Sequence, residues 1–260
     1  MTYQNILSEI KNGILYITIN REKKLNALNK DTLAELADAI AFAQRSIDVK
    51  CVLLTGAGDK AFVAGADISE FSSYTTEQGE ALARNGQVTV FNAIENSSKP
   101  FLAAINGFAL GGGLELAMAC HIRVAADTAK VGLPEVTLGL IPGYGGTQRL
   151  TQLVGKGRAT EMIITAEMIT AEKAEKIGLV NYIVPVHELI SRSEEILNKI
   201  KQRAPLAVAA ALNAVNAFYR DGVNGYETEI EEFGKCFGNQ DFKVGVTAFL
   251  EKKAPDFKGS

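Results

Sequence analysis

An α/β fold followed by a mainly helical C-terminal subregion is predicted by three features of the sequence. Short aliphatic and β-branched runs alternate with stretches whose apolar residues recur at helical spacing, the pattern of strands separated by helices. Beyond Gly145 the short runs give way to helical patterns. The chain of 260 residues is long for one ordinary domain and short for two, against about 100–200 residues per domain. One large domain, or one with a small appendage, is therefore expected.

Gly13 to Asn20 (GILYITIN) reads as the first strand. Arg21 to Asn29 is polar and reads as a loop, and Leu33, Leu36, Ala37, Ile40 and Ala41 then repeat as one face of a helix. Cys51 to Thr55 (CVLLT) is a buried strand ending at Gly56. Phe101 to Ile105 (FLAAI) is another, entered through Lys99-Pro100 and ended by Asn106-Gly107. Between them a helix is expected around Ala81 to Ile94. Helical patterns follow at Thr147 to Val154, Ala171 to Ile177, Glu188 to Lys201, Leu206 to Tyr219 and Asp241 to Lys252, with Pro205 where a first-turn proline is tolerated. The expected division is an α/β core over residues 1–200 and a helical subregion over 201–260.

Composition excludes several classes of function. Hydrophobic residues at 47% and charged residues at 22% are globular proportions, so a core is available. The formal charge is -3, from 27 basic and 30 acidic residues, and the basic ones are dispersed, so a nucleic-acid partner is not expected. Cys51, Cys120 and Cys236 are odd in number and far apart, which gives neither a disulfide framework nor a zinc ribbon and leaves them as reduced packing residues. Met1 to Ile10 carries Glu9 and no apolar run, so no secretory signal and a cytosolic or organelle-matrix setting are expected. Phe101 to Cys120 has the length of a membrane span, but it contains Asn106, Glu115 and four glycines, and a central carboxylate costs roughly 3 kcal/mol in lipid. His121 and His187 are 66 positions apart, which argues against a metal site and leaves each as a surface or capping residue. No G-x-S-x-G elbow and no G-x-x-x-x-G-K-[ST] loop occurs. Gly56-Ala57-Gly58-Asp59-Lys60-Ala61 fits a dinucleotide-binding turn, but Phe62 to Asp67 has no helical periodicity and no strand-terminal acid follows about 20 residues later.

Two glycine-rich stretches carry more information: Phe62 to Ile68 (FVAGADI) and Asn106 to Glu115 (NGFALGGGLE). Small residues let a ligand approach the backbone, and a helix beginning near Gly113-Leu114 leaves its first N–H groups without partners at the positive dipole end. Close packing of helix on strand explains the glycine triplet equally well. Glu115, among Leu114, Leu116, Ala117 and Met118, is not where a solvated charge belongs. Glu135 also has apolar neighbours, and two such carboxylates, if they converge, form an acid/base pair whose pKa values burial and repulsion shift. Taken singly, each reads first as a capping or ion-paired glutamate; taken together with the glycine loops, the two favour the acid/base pair.

In these residues, end to end, the chain resembles the crotonase, or enoyl-CoA hydratase/isomerase, family, and within it the enoyl-CoA hydratases. The landmarks are Leu25-Asn26-Ala27-Leu28; Phe62 to Ile68; Ala104-Ile105-Asn106-Gly107 running into Gly111-Gly112-Gly113-x-Glu115-Leu116-Ala117; Leu133-Pro134-Glu135; Ile141-Pro142-Gly143-x-Gly145-Gly146-Thr147-Gln148-Arg149-Leu150; and Ala171-x-x-Ala174-x-x-x-Gly178-Leu179-Val180. The resemblance implies a ββα superhelix core with C-terminal trimerisation helices. It implies syn hydration of 2-enoyl-CoA to 3-hydroxyacyl-CoA, as in fatty acid β-oxidation, by Glu115, chiefly as base, and Glu135, as the acid that supplies the proton to C2. It also implies that the Ala66 and Gly112 N–H groups bind the thioester oxygen, that Ala64, Gly65, Asp67 and Ile68 line the adenine end of coenzyme A, that Lys23 and Lys24 lie near its phosphates, and that Gly143 borders the substrate. No cofactor or metal is implied beyond the coenzyme A of the substrate, and a homotrimer or dimer of trimers in the cytoplasm is. Isomerisation through a thioester enolate, or acyl-CoA binding without catalysis, are the rival readings. The sequence departs from the family at Glu22, where Pro is frequent, at His121, where Asp is common, and at Tyr144, where a small residue is frequent; the last bears on substrate shape.

Overall fold

The structure is a computed structural model that describes residues 3–260; Met1 and Thr2, at the head of the segment read for a leader, lie outside the described residues. Its first two strands, β1 (Ile6–Lys11) and β2 (Ile14–Ile19), form an antiparallel hairpin joined by Asn12-Gly13. Both turn residues have positive φ, +51° and +77°, as a two-residue hairpin turn requires. β1 escapes the periodicity reading because only Ile6 of its six residues is buried; the Asn-Gly pair was the signal for it.

After helix α1 (Lys30–Arg45), whose N-terminus is capped by the Asn29 side chain, the chain repeats one unit. A longer strand enters a large sheet, a three-residue strand enters a second sheet, and a helical stretch closes the turn. The first unit is β3 (Cys51–Gly56), β4 (Ala61–Val63) and α2 (Thr76–Gly86), which continues through a π turn at Gln87–Phe91 into α3 (Asn92–Glu95). The second is β5 (Phe101–Ile105), β6 (Phe108–Leu110) and α4 (Gly112–Ala119). The third is β7 (Ile122–Ala126) and β8 (Lys130–Gly132), followed by α5 (Gly146–Val154) and α6 (Lys156–Thr165). Then come β9 (Ile169–Thr170), α7 (Ala171–Lys176), β10 (Tyr182–Val184) and α8 (Leu189–Lys201).

The large sheet has the order β1-β2-β3-β5-β7-β10 and the small one β4-β6-β8-β9; apart from β1/β2 and β8/β9, all pairs are parallel. This is the expected α/β architecture with a ββα repeat. Parallel strands covered on both faces read as unbroken apolar runs, which is why CVLLT and FLAAI were legible. Buried Asn106 fixes the bend between the sheets by donating to the Gly56 and Gly58 carbonyls and accepting from Gly56 N–H.

α9 (Pro205–Ala217), α10 (Gly225–Phe237) and α11 (Gln240–Leu250) complete the chain. A helix as apolar as the Leu206 to Phe218 segment is buried on most sides in a finished assembly, yet within this subunit only Ala217 of α9 is buried. α10, for which no helix was read, carries Tyr226, Ile230, Phe233 and Phe237 at helical spacing, and these side chains are between 52% and 81% exposed. Among the described residues, no helix is long and apolar enough to cross a membrane, and no group of His, Cys, Asp and Glu is placed to hold a metal ion. Cys51 and Cys120 are buried free thiols, and Cys236 is half-buried.

Candidate active site

The second glycine-rich stretch does three separate things at three adjacent positions. A Cβ on Gly113 would lie 1.9 Å from the Val63 carbonyl oxygen, so this glycine lets α4 pack on β4. A Cβ on Gly111, whose φ is +52°, would lie 2.9 Å from Glu135 Oε1, so this one makes room for a carboxylate. A Cβ on Gly112 would meet only ordinary contacts, 3.6 Å from Leu28 and Tyr144. The packing reading of the triplet thus holds at Gly113, and Gly112 keeps the open approach that the ligand reading calls for.

Gly112 opens α4, and its N–H has no acceptor among the described residues. The first stretch supplies a second such group. Ala66 bridges Leu28, with Leu28 N–H donating to Gly65 and Asp67 N–H donating to Leu28, while the Ala66 N–H stays unengaged. Parallel pairing of β4 with β6 sets the two stretches side by side. The loop under Ala66 is shaped by Leu25 and Asn26, both at positive φ, and the buried Asn26 amide donates to Ala57 and Ala61 while accepting from Arg21 N–H.

Glu115 stands in the first turn of α4 and is 1% exposed. Its Oε1 accepts from Tyr144 N–H at 2.8 Å and Gly146 N–H at 2.7 Å. Burial, and then the charge of Glu135, push its carboxyl up to about 7, against the pull of those two N–H groups and of Arg149. Glu135 begins a 3-10 turn, Glu135–Leu138, and burial raises it too, opposed by its own backbone N–H. Its Oε2 is buried without a partner. The two N–H donors on Oε1 give Glu115 a cradle for negative charge that Glu135 lacks, while burial holds both carboxyls above the ordinary carboxylate range.

Tyr144 is buried, stacks on Phe91 with ring centroids 4.7 Å apart and planes 13° from parallel, and fits only because Gly86 has no side chain: a Cβ there would lie 2.4 Å from its ring. Gly143 accepts from the Gln87 amide at 2.7 Å. Of the other residues expected here, Ala64, Gly65 and Asp67 are half-buried and Ile68 is exposed on the same strip as Ala66. Asp67 is paired with Arg21 at 3.0 Å and accepts from Ser69, which together hold its carboxyl below the usual range. Lys23 and Lys24 are exposed in the adjoining turn, where Lys24 adds to the positive field at Asp67. His121 stands apart: its Nδ1 accepts the Phe101 N–H at 2.9 Å and burial drives its pKa down to about 4, so it is a packed neutral ring rather than a surface or capping residue. His187 is exposed. Sequence reasoning missed the buried Arg149, quoted inside a motif without a role; a lone arginine three residues after a double glycine carries no signal of what it will bind.

Two N–H groups without acceptors among the described residues, near the end of a parallel ββα layer with a buried carboxylate and a half-buried one beside it, have the chemistry to hold a carbonyl oxygen and move protons beside it. The chain belongs to the enoyl-CoA hydratase/isomerase family, whose model matches residues 9–260. It is 46% identical over 254 residues to a short-chain-enoyl-CoA hydratase of Clostridium acetobutylicum, covering 97% of each chain, and 45% identical over 258 residues to a crotonyl-CoA hydratase of Syntrophomonas wolfei, covering 99% of each. Among solved structures it is similar to an enoyl-CoA hydratase of Bacillus anthracis, with a TM-score of 0.93, 40% identity and coverage of 99% of this chain and 100% of the other.

Proposed function

We propose that this chain is an enoyl-CoA hydratase, a hydro-lyase that adds water across the C2=C3 bond of short 2-enoyl-CoA thioesters. The observation that carries this is the convergence of Glu115 and Glu135 on the glycine turn that also presents the free Gly112 N–H. As water attacks C3, Glu115 takes its proton and negative charge moves to the thioester oxygen, where the Ala66 and Gly112 N–H groups receive it; Glu135 then delivers a proton to C2. Atoms and charge balance between the two carboxylates, so the scheme uses no metal or redox cofactor, and coenzyme A enters as part of the substrate. Lys23 and Lys24 would face its phosphates, the strip Ala64, Gly65, Asp67 and Ile68 its adenine end, and Gly143 its acyl end. The names of the two relatives, and a tyrosine ring packed over Gly112, support a short acyl group.

Crotonyl-CoA tests the proposal directly, because hydration removes the absorbance of the conjugated enoyl thioester. Loss of that absorbance is expected; binding without loss would leave an acyl-CoA binding protein, and a shifted double bond an isomerase. Gly112→Pro removes the N–H at a first-turn position where proline suits a helix, and should cost roughly 10²–10³-fold in kcat beyond the effect of Gly112→Ala. Equal activity of the two variants would remove Gly112 from the oxyanion site.

The same proposal divides the chain at residues 1–200 and 201–260 and assembles it as a trimer, or as a hexamer of two trimers, through the C-terminal helices. The exposed stripe of α10 and a groove of about 810 Å³ between α9 and α10, lined by Phe218, Tyr226 and Phe233, support an interface there. Light scattering at micromolar concentration should give a multiple of three times 27.9 kDa; the mass of one chain would exclude it. A cytoplasmic setting, supported by the free thiols of Cys51 and Cys120, completes the proposal.

A further inference from the structure

Arg149 is a buried guanidinium that the hydration scheme does not use. Burying such a charge costs several kcal/mol unless it is paired and hydrogen-bonded, so its partners show what it is for. Its Nη2 meets Glu95 Oε2 and Asn92 Oδ1, both at 2.7 Å, and its Nη1 donates to the Tyr144 carbonyl at 2.9 Å. The peptide units around Tyr144 are therefore gripped from two sides: the carbonyl of Tyr144 by Arg149, and its N–H by Glu115 Oε1. Gly145 is shaped around this contact, since its φ is +97° and a Cβ there would lie 2.2 Å from Arg149 Nη1. The next N–H, that of Gly146, is the second donor to Glu115.

We propose that Arg149 is a positioning residue: braced by Glu95 and Asn92, it fixes the 144–146 turn so that the Tyr144 and Gly146 N–H groups aim at Glu115 Oε1 and hold that carboxylate where it can deprotonate water. The brace continues to the C-terminal subregion, because the Asn216 amide of α9 donates to the Glu95 carbonyl at 2.6 Å. Seating α9 on α3 thus positions the arginine's anchor, which ties the helices proposed for assembly to the acid/base pair. This inference rests on the hydratase reading of Glu115.

The charge of Arg149 also opposes the two influences that raise Glu115, namely burial and Glu135. The groups that face Glu115 are Glu135 from the 3-10 turn, the Tyr144 phenol from the loop, and Arg149 from α5 with Glu95 of α3 behind it. His121, near Glu95, is neutral above a pH of about 4 and does not titrate in the working range. Two substitutions should then act in opposite directions. Arg149→Met removes the positive charge and should move the pH dependence of kcat to higher pH. Glu95→Gln keeps an acceptor for Arg149 but removes a negative charge, and should move it to lower pH.

The test is the kinetics of crotonyl-CoA hydration by the full chain against pH, for Arg149→Met, Arg149→Lys and Glu95→Gln. We expect Arg149→Met to lower kcat by roughly 10- to 100-fold with little change in KM, since coenzyme A is held elsewhere and a misplacement of about 1 Å costs that much. Arg149→Lys should recover part of the loss and most of the pH profile. Unchanged kcat and profile in Arg149→Lys and Glu95→Gln, or shifts of the same sign in both, would overturn the proposal even if Arg149→Met failed to fold. A wild-type chain without hydratase activity would overturn the underlying reading instead, so the two failures are distinguishable.

Discussion

Glu115 arrives on the first turn of an eight-residue helix that is buried along its whole length, whereas Glu135 arrives on a four-residue 3-10 turn whose last residues are exposed. Around Glu115 every degree of freedom is taken up: two N–H donors on one oxygen, Gly113 pressed on the Val63 carbonyl, and Arg149 behind the loop. Around Glu135 one oxygen faces the space left by Gly111 and the other has no partner at all. A base that must keep its charge in a dry interior needs fixed donors, because each buried anion without them costs far more than a typical hydrogen bond returns. An acid that must hand a proton to carbon has no such need, and a partner on its free oxygen would only hold the proton back. The difference fits the division of labour in the proposed mechanism, with Glu115 as base and Glu135 as acid, and gives that division a physical reason that two glutamates in similar apolar company do not carry in the sequence alone.

The largest expected effect tests that division directly. Glu115→Gln and Glu135→Gln keep size and hydrogen-bonding capacity but remove the base or the acid, and groups of this kind contribute about 10²–10⁴-fold in rate. Turnover of crotonyl-CoA should collapse in both while binding, followed by calorimetry, persists. Retention of more than about a tenth of wild-type turnover by either variant, well inside that range, would remove that residue from the proton-transfer pair.

A smaller effect separates the rigid surroundings from the loose ones. A Cβ on Gly146 would lie 2.8 Å from Glu115 Oε1, so Gly146→Ala must displace a carboxylate that is clamped, and kcat should fall roughly 10- to 100-fold. A Cβ on Gly111 would lie 2.9 Å from Glu135 Oε1, but that side chain can yield; there the positive φ carries the penalty, about 1–3 kcal/mol of backbone strain. Gly111→Ala should therefore appear in the melting temperature more than Gly146→Ala does, and Gly146→Ala more in kcat. The reverse pattern would mean that Glu135, not Glu115, is the rigidly held member.

Much of this was legible in the sequence where one residue type suffices to make the argument. Glu115 amid leucines and alanines announced a buried charge, and the runs CVLLT and FLAAI announced strands covered on both faces. β4, β6 and β8 were not legible, because three residues are too few to show any period; β4 and β6 follow glycine or asparagine bends, and β8 follows the short Asp127-Thr128-Ala129 connection. Arg149 was hidden for another reason: its partners Asn92 and Glu95 lie 57 and 54 positions away, and only the third dimension brings a guanidinium under the Tyr144 carbonyl. The apolar stripe of α10 was present at the right spacing, but its neighbours are acidic and its purpose lies outside the subunit if the proposed assembly holds.

The subtlest expected effect is on stability, and its sign depends on pH. Glu115 is raised from an ordinary carboxylate to about 7 in the folded chain, so between the unfolded value and about 7 the native state holds a proton that the unfolded chain has lost. The stability this contributes is fully present in acid and is lost as pH rises through the folded value. Above it, the native state carries an ionised carboxylate in a dry site at a cost of roughly a few kcal/mol. Glu115→Gln has no such proton to lose. The melting temperature of the variant, relative to wild type, should therefore climb between pH 5 and pH 8, measured by scanning calorimetry on both proteins in the same buffers. Glu135→Gln should show a weaker climb, because Glu135 is only half-buried and less of its hydration is lost on folding. A melting-temperature difference that stays flat or falls with pH in Glu115→Gln would mean that the Tyr144 and Gly146 N–H groups fully compensate the buried charge. In that case the rigid surroundings would hold their anion without strain, and the two carboxylates would differ in geometry alone.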